Sequence, residues 1–127
     1  MGQRDRNHEA YVKGNALYQT GRFSQASKFF LTASAEDATD YQALWALGNC
    51  HAERKKPRKA EDNFRRALAL CDDTHRAALM FNLANALFDQ QRYAEALEVY
   101  SGIPSGHPLS KKARRNALLA NSRIATS

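Results

Sequence analysis

The feature that most constrains this chain is a short pattern that occurs three times along its 127 residues. In each copy an alanine is followed four residues later by an aromatic residue, and three residues after that by a small or apolar one. The alanines are 34 and then 36 residues apart. A repeat of this length predicts a stack of similar units that bury their apolar faces on one another. The copies are Ala26–Phe30–Ala33, Ala60–Phe64–Ala67 and Ala96–Tyr100–Ile103.

A small residue twelve positions before each alanine keeps the same register: Gly14, Gly48 and Ala84. Two small positions at this spacing predict a pair of helices whose backbones approach closely, because a larger side chain there would push them apart. The two additional residues before the third copy lie between Ala67 and Ala84, and we expect them in a turn at residues 71–75.

Apolar residues at helical spacing predict two helices for each copy and one more at the end of the chain. The first helices span 8–20, 41–54 and 75–90, and the second helices span 24–36, 58–70 and 94–101. Ser24 suits an N-cap, and Pro57 suits a first helical turn. A seventh helix at 109–124 carries one apolar stripe, formed by Leu109, Ala113, Ala117, Ala120 and Ile124.

A 34-residue period with this pattern resembles the tetratricopeptide repeat (TPR), and the middle copy, with Leu44, Leu47 and Gly48 before Ala60 and Phe64, carries it most clearly. The resemblance implies an all-α fold, an α-solenoid of three TPR helical hairpins with a C-terminal capping helix. The single TPR domain would span residues 1–127. Its repeats would occupy 7–40, 41–74 and 77–108, and its capping helix 109–124.

The resemblance also implies that the first helices line a concave groove, where aromatic and amide side chains stand one helical turn apart. Amides can hold a peptide backbone from either side, and aromatic rings supply apolar contact area. The family has such residues at these positions whatever its ligand, so the rows also fit a purely structural role. The candidate groove residues are Tyr11, Asn15, Tyr18, Trp45, Asn49, Phe81, Asn82, Asn85 and Phe88.

Some TPR proteins grip the C-terminal carboxylate of a chaperone with two lysines, two asparagines and an arginine. Only Asn15 matches that set here, and the three cations that would give charge-assisted hydrogen bonds are absent. We therefore expect no binding of heat-shock-chaperone tails. The equivalent positions hold Tyr11, Asn15, Ala46, Ala78 and Asn82.

The net charge of +6 is concentrated in residues 54–66 and 111–123. We expect both segments at the edge and convex side of the solenoid. They fit a solvated face, or alternatively a surface for an acidic partner, RNA or anionic lipid. No RNA-binding motif is present, so we do not expect nucleic acid to be the main ligand. The candidate basic-patch residues are Arg54, Lys55, Lys56, Arg58, Lys59, Lys111, Lys112, Arg114 and Arg115.

No motif for catalysis, a cofactor or a metal is present, so we expect a non-enzymatic module whose partner is a protein or peptide. Cys50 and Cys71 are isolated and predict thiols in a reducing compartment. The first ten residues, MGQRDRNHEA, lack the apolar core of a secretory signal. No apolar run reaches the length of a membrane span. The expected location is therefore cytoplasmic.

Two further hypotheses concern partners. ALWALGNC, residues 43–50, is similar to the second-repeat opening of bacterial type III translocator chaperones, which makes a secretion chaperone the alternative function. The chain could also form a homo-oligomer, with Tyr11, Phe29 and Phe30 as candidate contacts.

Overall fold

A computed structural model describes residues 3–126, with side chains from residue 8 onward. The expectation about a secretory signal concerns residues 1–10, of which residues 1 and 2 lie outside this range. The described residues form seven helices and no strand, as the sequence predicts. They are α1 (Gln3–Gln19), α2 (Phe23–Glu36), α3 (Tyr41–Glu53), α4 (Pro57–Leu70), α5 (Asp73–Asp89), α6 (Tyr93–Ser101) and α7 (Ser110–Thr126).

The helices group into two compact units, one ending at Leu70 and the other beginning at Cys71. In the first unit α1 pairs with α2 and α3 pairs with α4, while α2 also packs on α3. In the second unit α5 pairs with α6, and α6 packs on α7. Each predicted copy of the repeat is therefore one helical hairpin.

The core of the first unit lies where its two hairpins meet. Phe30 from α2 is buried with Leu47 and Cys50 from α3, and Tyr11 and Tyr18 of α1 pack partly against them. Burying side chains of this size contributes roughly 1.5–3 kcal/mol each. Phe30 is only 1% exposed, so its ring is not available as a self-association contact.

The repeated glycines lie under the repeated phenylalanines. A methyl carbon added at Gly14 would lie 2.8 Å from Cε1 of Phe30, and one added at Gly48 would lie 2.5 Å from Cε1 of Phe64. The sequence prediction of a tight helix pair was right about the need for a small residue. The structure adds the side chain that each glycine faces, which is the aromatic ring four residues beyond the alanine on the partner helix.

The turn inside each hairpin repeats one backbone conformation. Gly21, Lys55 and Gln91 have positive φ angles of 78°, 60° and 63°. The amide after each of them closes the preceding helix, with N···O distances of 2.9 to 3.0 Å. A left-handed residue at the helix end is the usual way to satisfy these last carbonyls. Only the first turn uses glycine, for which this conformation carries little strain.

The helix boundaries correct one prediction and agree with another. Ser24 is not an N-cap, because α2 begins at Phe23 and the residue before it, Arg22, makes no side-chain cap. Pro57 is the first residue of α4, as expected.

The two additional residues of the third copy lie in a helix rather than in a turn. The first helix begins 7 residues before Gly48 in the second copy but 11 residues before Ala84 in the third. The segment that precedes this helix shortens from residues 37–40 in the second copy to residues 71–72 in the third. Together, the longer helix and the shorter connection make the third copy two residues longer. Asp72 caps the longer helix by accepting a hydrogen bond from the His75 amide at 3.1 Å.

The terminal helix α7 buries Ala113 and Ala120, as its apolar stripe predicts. Ile124, the last member of that stripe, is 37% exposed, and Leu118, on another face, is 71% exposed. None of the described helices is both long and apolar enough to span a membrane.

Candidate functional site

In the first unit, the predicted groove residues of α1 form one partly exposed stripe. The ring of Tyr11 packs on Phe30 with centroids 5.5 Å apart, and the ring of Tyr18 meets Phe23 edge-on at 5.1 Å. Asn15 lies one turn after Tyr11 and is exposed. Burial raises the pKa of both tyrosines, and the carboxylates of Asp40 (for Tyr11) and Glu53 (for Tyr18) add to the effect. Both phenols are therefore neutral hydrogen-bonding groups.

The same spacing recurs on α3. Trp45 and Asn49 are both half-buried and stand one turn apart. Glu53, one turn further on, is exposed and is the last residue of the helix.

In the second unit, two aromatic residues of α5 pack against aromatic residues of α6. Phe81 meets Tyr100 edge-on with centroids 5.9 Å apart, and Phe88 meets Tyr93 in the same way at 5.0 Å. Asn82 and Asn85 are half-buried. The predicted aromatic and amide rows are thus present within each unit as partly exposed side chains, and their role in binding remains a prediction.

A cleft of about 290 Å³ opens beside Asn85 and Phe88. Four of its lining residues are not among the candidate groove residues: Asp89 ends α5, and the other three lie on α6 and α7 rather than on a first helix. The sequence contained one signal for two of these residues. Asn116 and Leu119 are three residues apart on α7 and therefore share a helix face. The cleft is lined by Asn85, Phe88, Asp89, Tyr100, Asn116 and Leu119.

A hydrogen-bonded cluster forms the polar side of this cleft. The Tyr100 hydroxyl donates to Oδ1 of Asn85, and Nδ2 of Asn116 also donates to that oxygen at 3.4 Å. Burial raises the pKa of Tyr100 to about 12; a hydrogen bond from Asn116 opposes the shift and the charge of Asp89 adds to it. Tyr100 is therefore a neutral donor that orients the Asn85 amide.

The first basic patch lies around the turn between α3 and α4. Arg54, and then Lys59, lower the pKa of Lys56 through charge repulsion, which shows that these cations are close together. Burial lowers the pKa of nearby His51, and the same three cations add to the shift. Nδ1 of His51 is buried and has no hydrogen-bond partner among the described residues.

The second basic patch occupies the first turns of α7. Its four cations, Lys111, Lys112, Arg114 and Arg115, are exposed. Positive charge near a helix N-terminus is unfavourable by a few tenths of a kcal/mol up to about 1 kcal/mol each, so these residues do not stabilise their own helix. Among the described residues, no group of His, Cys, Asp or Glu side chains is arranged to hold a metal ion.

Three helical hairpins in one sequence register, followed by a seventh helix, define an α-helical repeat protein. The family model for the tetratricopeptide repeat matches residues 40–101. This match and the helical-hairpin fold confirm the expected resemblance to the tetratricopeptide repeat family and the expected fold class.

A bacterial pilus assembly protein is similar to this chain in sequence. The type IV pilus assembly protein PilF of Pseudomonas aeruginosa is 30% identical over 96 residues, which cover 75% of this chain and 37% of PilF. The chain thus spans little more than a third of that relative's length.

Solved structures with the same fold are more distant in sequence. The Arabidopsis OM64 TPR domain is 18% identical with a TM-score of 0.85, covering 95% of this chain and 98% of that one. The second TPR domain of human RPAP3, in complex with an HSP70 peptide, is 15% identical with a TM-score of 0.84, covering 94% and 98%. The Yersinia enterocolitica secretion chaperone SycD, in complex with a peptide of the translocator YopD, is 18% identical with a TM-score of 0.78, covering 94% and 92%.

Proposed function

We propose that this chain is a non-enzymatic protein–protein interaction module that binds an extended segment of a partner protein along the first helices of its hairpins. The observation that carries this proposal is a pair of side chains that recurs at one position of each first helix. Each pair has a half-buried aromatic ring and, one turn later, an amide. The pairs are Tyr11 with Asn15, Trp45 with Asn49, and Phe81 with Asn85.

The packing beneath the rings makes these pairs suitable for binding. Tyr11 lies against Phe30 and Phe81 lies against Tyr100, so each ring is held in place before a ligand arrives. A ring that is already ordered loses little conformational entropy on binding, and its open part still offers apolar contact area. The neighbouring amide then supplies both a donor and an acceptor for a peptide bond.

Structures of similar fold support the proposal, because RPAP3 is seen with an HSP70 peptide and SycD with a YopD peptide. The ligand we propose is not an acidic chaperone tail, however. The positions where the chaperone-binding clamp would place cations hold uncharged residues in this chain, Tyr11, Ala78 and Asn82 among them. A terminal carboxylate would lose its charge-assisted hydrogen bonds there.

A second candidate function is that of a secretion chaperone for one translocator-type cargo. The similarity to SycD and the ALWALGNC segment at residues 43–50 favour it. A dedicated chaperone would co-purify with a single cargo that is unstable without it, whereas a scaffold would retain several partners that are stable alone.

The test is a pull-down from the native host with the double variant Trp45→Ala plus Asn49→Ala. Loss of a buried aromatic anchor and its amide should weaken partner retention by roughly 30-fold or more. Leu31→Ala is the matched control, because Leu31 is 57% exposed on the second helix of a hairpin. Asn15→Ala is the second groove variant. Asn15 belongs to the same row and is exposed, so weaker binding by this variant would not result from misfolding. Retention of the same partners at the same strength by both groove variants would refute the proposal.

A further inference from the structure

The cleft between α5 and α7 has an excess of unused hydrogen-bond acceptors. Oδ1 of Asn85 already accepts from Tyr100 and from Asn116. Among the described residues, no hydrogen bond or ion pair engages the Asp89 carboxylate or Oδ1 of Asn116. Among these side chains, the Nδ2 group of Asn85 also keeps its N–H donors, which are fewer than the free acceptor sites on the three oxygen atoms. A ligand that brings donors and no acceptors fits this balance, and lysine and arginine side chains have that character.

The position of Asp89 adds an electrostatic argument. Asp89 is the last residue of α5, where the helix dipole disfavours negative charge. It is exposed and forms no ion pair with any residue in the described part of the chain. A cation supplied from outside would therefore meet a carboxylate that has no ion-pair partner among the described residues.

The apolar walls of the cleft match the stem of a long basic side chain. Phe88 is half-buried and held edge-on by Tyr93, and Leu119 is 45% exposed. Methylene groups would pack along these two residues while the charged end stays at the wet rim beside Asp89. A volume of about 290 Å³ is at the lower limit for small-molecule pockets, about 300 Å³, and suits one side chain rather than a cofactor.

We infer that this cleft receives one lysine or arginine side chain of the bound partner segment. The inference rests on the proposed function, since Asn85 and Phe88 belong to the predicted groove. It adds a specificity that the aromatic and amide rows alone do not have. The competing occupant is an acidic side chain, because Lys112 and Arg123 share a helical stripe with Asn116 and Leu119 without lining the cleft.

The direct test is an NMR titration of the isotope-labelled full chain with four capped amino acids. The probes are the Nα-acetyl, C-terminal N-methylamide forms of lysine, arginine, norleucine and glutamate. The lysine and arginine probes should shift the side-chain signals of Asn85, Asn116 and Leu119 with dissociation constants on the order of 1 mM. The norleucine and glutamate probes should bind at least roughly fivefold more weakly.

Matched variants assign the effect to one carboxylate. Asp89→Asn should weaken the lysine probe by roughly fivefold or more and leave the norleucine probe unchanged. Glu53→Gln, at the equivalent helix end of the second hairpin, should change neither. Circular dichroism confirms that both variants are folded. Equal binding of lysine and norleucine, tighter binding of glutamate, or an unchanged affinity in Asp89→Asn would overturn the inference.

A phage-displayed library of random dodecapeptides separates this inference from the proposed function. Peptides selected on the chain should depend on Trp45 and Asn49, should be enriched in lysine or arginine, and should lose affinity in Asp89→Asn. Selected peptides that need Trp45 and Asn49 without this enrichment would uphold the proposed function and overturn the cleft assignment. Probes that bind beside Asp89 while no peptide depends on Trp45 and Asn49 would uphold the cation site and refute the proposed function.

Discussion

Replacing Gly48 by alanine tests the close packing of a small residue against an aromatic ring, which the first two hairpins share. In an unconstrained helix the change would stabilise the protein by about 1 kcal/mol, because alanine is the better helix former. Here the added methyl carbon would lie 2.5 Å from Cε1 and 2.8 Å from Cδ1 of Phe64. Carbon atoms pack best at about 3.5–4.0 Å, so the ring would have to retreat by about 1 Å.

The ring has little room for that movement, because Phe64 is only 1% exposed. Overpacking of a full core costs typically 1–3 kcal/mol, and this contact belongs in the upper half of that range. After the gain in helix propensity, we expect Gly48→Ala to lower the free energy of unfolding by about 1–2 kcal/mol. That corresponds to a fall in Tm of roughly 3–8 °C. Gly14→Ala should cost less, because its contact with Phe30 is 2.8 Å.

Urea denaturation followed by circular dichroism measures these differences at a common m value. Gly106→Ala is the control, since a methyl group there meets nothing within 4 Å and should change stability by less than about 0.5 kcal/mol. In a Phe64→Leu background, Gly48→Ala should become neutral or stabilising, because the ring that opposes it is gone. A Gly48→Ala protein that is more stable than wild type would show that helix propensity dominates and that the packing argument is wrong.

Two further predictions concern the turns and the cysteines. Lys55→Gly and Gln91→Gly should each raise stability by about 0.5–1 kcal/mol in the same urea assay, because both residues have positive φ angles of about 60°; a loss of stability in both would contradict the strain assigned to those turns. Burial raises the pKa of Cys50 to about 11, with Glu53 adding to the shift and Arg54 opposing it, so iodoacetamide at pH 8 should label the half-buried Cys71 well before Cys50. The folded-state pKa of Cys50 lies above its unfolded value of about 9. The contribution of Cys50 to the free energy of unfolding should therefore be complete below pH 9 and be lost as the pH rises towards 11. Cys50→Ser should flatten the pH dependence of stability in that window.

The local pattern of the chain was sufficient to predict its helices. Apolar spacing placed all seven, and the predicted span 58–70, with Pro57 in the first turn, located the start of α4 to within one residue. These features depend on residues within a turn or two of one another, which is why they can be read without the fold. The N-cap assigned to Ser24 was wrong because the N-cap position is set by where the backbone turns into the helix. In α2 that position is Arg22, two residues before Ser24.

The candidate site was predictable only in part, for a similar reason. Residues that share one helix face, such as Trp45 and Asn49, follow from spacing alone. The cleft does not, because Asn85, Tyr100 and Asn116 come from three helices that are brought together only by packing. Their hydrogen bonds connect positions up to 31 residues apart, and no pattern in the sequence pairs them.

By itself, then, the sequence determined the repeat, its period, the helices and the need for a small residue at positions 14, 48 and 84, since these are properties of short segments. The tertiary structure decided what each small residue faces, how the third copy gains two residues within α5, and which polar atoms in the cleft are left without partners. The physical reason is that side-chain packing and hydrogen bonding act between surfaces, and a surface exists only once the helices have been brought together.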